Sequence, residues 1–96
     1  MPTRELFIAP ANADAEPICT LHRETALRRA EPPDRLLSSA LSETATDKGI
    51  RYQFDPSDEL WSRIQVFISE ERVCCPFFAF RVIQDERLIT LEVFQS

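Results

Sequence analysis

Glycine is almost missing from this chain, with Gly49 the sole example in 96 residues. Loops that cradle phosphate need several glycines to bring backbone N–H groups against the anion. A P-loop and a dinucleotide-binding fingerprint are therefore excluded in their usual forms. Histidine is equally scarce, represented by His22 alone. With one imidazole and no nucleophile elbow, no Ser-His-Asp or Cys-His-Asn set can be assembled. Basic clusters are also lacking. The 11 Lys and Arg residues are scattered and outnumbered by 16 Asp and Glu, for a net charge of −5. Nucleic-acid binding requires clustered cations that displace condensed counterions, so no nucleic-acid partner is expected. No run approaches the roughly 18 apolar residues of a membrane span. The start, Met1-Pro2-Thr3-Arg4-Glu5, leads into a short apolar run closed by Pro10, too brief for a signal peptide. The expectation is a cytoplasmic chain with no membrane contact.

What remains is an ordinary globular composition, 44% hydrophobic, at a length that makes one domain. Residues 1–17 read as an N-terminal arm, with an edge strand over Glu5-Leu6-Phe7-Ile8-Ala9 and then a loop. Residues 18–96 read as a single α+β domain. Thr20 can cap a helix starting at Leu21 that runs through His22 to Ala30, where Pro32-Pro33 interrupts it. A second helix is predicted from Pro33, because Leu36, Leu37, Ala40, Leu41 and Thr44 fall on one side at helical spacing. Gly49 would end it in a left-handed C-cap.

Ile50 to Phe54 alternates at period two and reads as a strand. Asp55-Pro56 then reads as an N-cap followed by a proline at the first helical position. Leu60, Ile64, Phe67, Glu71, Cys74 and Cys75 share one face of the helix that follows, and Pro76 stops it. Phe77 to Gln84 and Leu88 to Phe94 form a hairpin around Asp85-Glu86. The fold class predicted is α+β: two layers, with helices packed on one face of a small, mainly antiparallel sheet that ends in a C-terminal β-hairpin. Both faces of that sheet carry apolar side chains, and helices in so small a domain cover only one. The N-terminal arm or a second copy of the chain could cover the other, and a homodimer is the favoured expectation.

The three cysteines cannot all pair within one chain. Without a secretory signal they read as buried thiols, metal ligands or redox groups. Glu71 lies one helical turn before Cys74 and Cys75, on an otherwise apolar stripe where a carboxylate is costly unless paired, bound or protonated. A salt bridge to Arg81 or Arg87 is the plain explanation. The chemical one is a soft-metal site, with Cys74 and Cys75 as vicinal donors, Cys19 as a third, and Glu71 or His22 as a harder ligand. Such a set suits zinc, copper(I), mercury(II) or arsenite. The paired C-x-x-C units of a zinc ribbon are absent. A helix C-terminus and a nearby acid both disfavour a bare thiolate, which counts against nucleophilic or redox chemistry at Cys74 and Cys75 and in favour of a bound cation.

Three stretches stand out together: Cys19-Thr20-Leu21, Gly49-Ile50-Arg51-Tyr52-Gln53-Phe54 and Glu71-Arg72-Val73-Cys74-Cys75-Pro76-Phe77. On them the chain resembles a group of small, largely uncharacterised bacterial proteins marked by Cys-Thr-Leu and Glu-x-x-Cys-Cys-Pro-Phe motifs. The resemblance covers roughly residues 18 to 94. It implies an association with heavy-metal resistance and so favours soft-metal binding, but it carries over no catalytic residue. Pro32-Pro33 departs from the pattern by breaking the first helical region. The rival reading is a non-catalytic, homodimeric interaction module whose cysteines are structural; a thiol-dependent enzyme is a third.

Overall fold

The fold comes from a computed structural model that describes residues 3–11 and 33–95, the side chains of Pro33, Asp34 and Cys74 excepted. Along the chain the elements are β1 (Arg4–Ile8), α1 (Pro33–Leu37), β2 (Ser42–Ala45), β3 (Gly49–Phe54), α2 (Asp58–Cys74), β4 (Phe78–Gln84) and β5 (Ile89–Gln95). The strands make one sheet in the order β1-β4-β5-β3-β2, with every neighbouring pair antiparallel. This is the α+β architecture expected, with the C-terminal hairpin in place. The helix expected over His22 to Ala30 lies outside the described residues. No described helix is long and apolar enough to cross a membrane.

The core forms where α2 lies on the sheet. Alternation along each strand sends Phe80 and Val82 of β4, Ile89 and Leu91 of β5 and Phe54 of β3 toward the helix. Helical spacing returns Leu60, Ile64, Phe67 and Ile68 to meet them, all buried. Each such side chain removed from water contributes about 1.5–3 kcal/mol, so this one seam is the main source of stability.

Three local expectations need correction. The helix beginning at Pro33 ends at Leu37 instead of running on past Thr44. The hydroxyls of Ser38 and Ser39 donate back to the carbonyls of Arg35 and Leu36, at 3.0 and 2.7 Å, offering the backbone an alternative to further winding. Leu41 N–H then donates to the Gln53 carbonyl at 2.7 Å, and the chain continues as β2 beside β3. Gly49 accordingly opens a strand, and it has no positive φ. It is required for a different reason: a Cβ there would collide with the backbone carbonyl oxygen of Val93 and with Phe94 Cα. Finally, the N-cap of α2 is Ser57, not Asp55. Ser57 has extended backbone (φ −160°, ψ 154°), and its hydroxyl accepts from Leu60 N–H at 3.0 Å.

The β4–β5 turn lacks an Asn-Gly pair and is held by a side chain instead. Asp85 Oδ1 accepts from the N–H groups of Arg87 (2.7 Å) and Leu88 (2.9 Å). These bonds favour the ionised carboxylate, the one from Arg87 most, and hold Asp85 below its ordinary 3.8. On the face of the sheet away from α2, Phe7 is 54% exposed and its ring centre lies 6.4 Å from that of Phe94. Arg81 approaches Glu5 at 3.7 Å and Arg51 approaches Glu92 at 3.9 Å on the same face.

Candidate functional site: the cysteine end of the long helix

Pro76 has no N–H to donate, and its ring keeps Cys75 out of helical backbone (φ −127°, ψ 74°), so α2 ends at Cys74. The Cys75 N–H closes the last turn on the Glu71 carbonyl at 2.6 Å, and Phe78 N–H returns to the Cys75 carbonyl at 3.2 Å. A tight turn therefore carries the chain from helix to β4. Cys75 is 6% exposed and packs with Phe77 and Phe78 in a small cluster apart from the main core.

Beside this turn a partly enclosed cavity of about 250 Å³ separates α2 from the far end of the sheet. Its walls are Phe67 and Glu71 of α2, Ile50 and Tyr52 of β3, Phe78 of β4 and Val93 of β5. Leu37 of α1 adds to the apolar side. Glu71 thus does lie on the inward flank of the helix, half-buried at a cavity wall. Arg81, offered as its partner, points to the opposite face of the sheet toward Glu5. Arg87 sits in the β4–β5 turn, at the other end of the sheet. Glu71 interacts elsewhere within the chain.

Tyr52 shows the electrostatic character of this end. It is 8% exposed and stands directly opposite Glu43 in the β2–β3 register. Burial pushes its ionisation above the ordinary 10.0. The Glu43 carboxylate beside it and, less strongly, the charge of Glu71 push in the same direction. Negative charge thus converges here on apolar walls, next to the carbonyl end of α2. Arg72 in the last turn carries the sign of charge that suits that helix end, yet its buried Nε finds no hydrogen-bond partner among the described residues.

Of the four residues proposed as ligands, Glu71 and Cys75 are brought to the same end of α2, as the one-turn spacing requires. Cys74 closes the helix, but its side chain lies outside the described residues, as do Cys19 and His22. Among the described residues no group of three or more His, Cys, Asp or Glu is placed to hold a metal ion. The sequence reading overlooked Tyr52 and Glu43. Tyr52 carried a usable signal, because period-two alternation puts its ring between Ile50 and Phe54 on the core face, where a phenol needs a polar partner. Glu43 carried none once its segment was read as helix. No protein-family model, curated protein or solved structure matches the chain.

Proposed function

We propose that this domain binds a thiophilic cation or a trivalent metalloid at the C-terminal end of α2. Cys74, Cys75 and Cys19 would supply thiolates, and Glu71 the harder ligand. Zinc, copper(I), mercury(II) and arsenite are the species such donors suit. The supporting observation is the placement of Glu71, half-buried on the inward flank of α2 one turn from Cys75. Glu71 already interacts within the chain; a bound cation would add to that contact and relieve the unfavourable field on neighbouring thiolates. The described residues fit this only in part, since Cys75 and Glu71 make two donors and the remainder must come from Cys74 and Cys19.

The test is protein purified without oxygen or chelator. Near-stoichiometric zinc or arsenite with masked thiols is expected, reduced sharply by Cys74→Ser and Cys75→Ser and less by Glu71→Gln. Three freely titrating thiols, unchanged by added zinc or arsenite, would refute the reading.

A second reading rests on a separate observation. The sheet face away from α2 presents the exposed Phe7 beside Phe94, and Cys75 is sealed by Phe77 and Phe78. A homodimeric interaction module with structural thiols would use that face. It predicts a mass above monomer by sedimentation, lost on Phe7→Glu.

A further inference from the structure

The cavity beside Tyr52 offers a site that does not depend on sulfur. We infer that it takes a small ligand with one apolar ring, or a chain of similar bulk, carrying a protonated amine. Size, wall chemistry and charge each support this.

An apolar cavity of roughly 150 Å³ already admits benzene. The cavity here, about 250 Å³, has room for one ring and a short substituent but falls below the usual span of drug-sized pockets. Phe67, Phe78, Ile50 and Val93 present hydrocarbon to the ring. The polar part of the lining bears one sign of charge. Glu71 stands in the wall, and Glu43 lies opposite Tyr52 in the β2–β3 register. No Lys or Arg lines the cavity among the described residues. A cation is the complement of such a lining, and the ring of Tyr52 adds an aromatic surface on which an ammonium group can rest. Glu71 also interacts elsewhere within the chain, and the ammonium group of the ligand would share its carboxylate with that contact.

This inference shares Glu71 with the metal reading but uses none of the cysteines, so the two can fail separately. Phenethylamine is the probe, titrated calorimetrically into the full chain at neutral pH, with 2-phenylethanol as the neutral isostere and phenylacetate as the anion. Saturable binding of one phenethylamine per chain is expected, with the alcohol at least about tenfold weaker, the ratio one charge-assisted contact supplies, and no binding of phenylacetate.

Glu71→Gln should bring amine and alcohol to near parity. Val93→Phe should abolish binding by filling the cavity; Leu37→Phe tests the same point from the helix side if the strand variant fails to fold. Cys74→Ser should keep amine binding while losing any metal uptake. Absence of saturable amine binding, equal affinity for amine and alcohol in the natural chain, or binding undiminished in a folded cavity-filled variant would each overturn the inference.

Discussion

The two ends of α2 are built in opposite ways. At the N-terminal end, Ser57 caps the helix and Arg4 reaches over from β1 to tie the layers together. Its guanidinium lies 4.2 Å from the centre of the Trp61 ring, donates to the buried Gln84 side chain at 2.8 Å, and meets Asp58 at 2.9 Å. At the C-terminal end the helix stops at a proline, a carboxylate lines a cavity, and an arginine Nε is buried without a partner among the described residues. One element thus has an end closed by internal contacts and an end that opens on a cavity. A largely apolar cavity with a few polar groups in its wall is where a ligand has most to contribute.

The contrast can be broken from the closed end first. Arg4→Ala should destabilise by about 1–2 kcal/mol, mostly through the lost ring contact and the lost bond to Gln84. The exposed pair with Asp58, whose side chain is 80% accessible, adds little. Urea unfolding measures this, and no change in midpoint would mean that β1 is not fastened at this end. Ser57→Ala should cost about 1 kcal/mol through the lost cap, read the same way.

At the open end, Glu71→Gln should change stability by less than about 0.5 kcal/mol while weakening cation binding. A large loss of stability would make Glu71 part of the scaffold and erase the contrast. Because Tyr52 is the single tyrosine, alkaline ultraviolet titration reads it alone. Its midpoint should lie above 10.0 and fall toward that value in Glu43→Gln, and by less in Glu71→Gln. As the folded phenol holds its proton more tightly than the unfolded one, this contribution to stability is intact below pH 10.0 and is lost as pH rises through and above it.

The smallest effect belongs to Asp85. Its folded carboxyl titrates below 3.8, so its contribution is present above that pH and lost as pH falls beneath it. Asp85→Asn should therefore flatten slightly the acid limb of a stability–pH curve.

How much of this was legible beforehand follows from which forces shape each part. The α2 seam was readable, since Leu60, Ile64, Phe67 and Glu71 recur at helical spacing, and so was the β4–β5 hairpin, with apolar runs on both sides of Asp85. β2 was not. Ser42-Glu43-Thr44-Ala45 has no hydrophobic alternation because every residue in it is exposed, and it is a strand only through backbone pairing with β3. The preceding leucines resembled a helix because Leu36 is core and Leu37 half-buried, whereas Leu41 is 58% exposed. At the site, Glu71 was found because a carboxylate interrupts an apolar stripe. The cavity depends on how α1, α2 and three strands leave space between them, a property no single segment encodes.

The placement of β1 has a kinetic consequence. Arg4 pairs with Gln84 in the register of β1 on β4, so an edge strand from the start of the chain finds its neighbour 80 residues away. β3, α2, β4 and β5 follow one another along the chain and can assemble over short loops, while β1 joins only after the longest closure in the sheet. Native-state hydrogen exchange should therefore release β1 amides before those of β5, with the first strand peeling from a subdomain that remains folded.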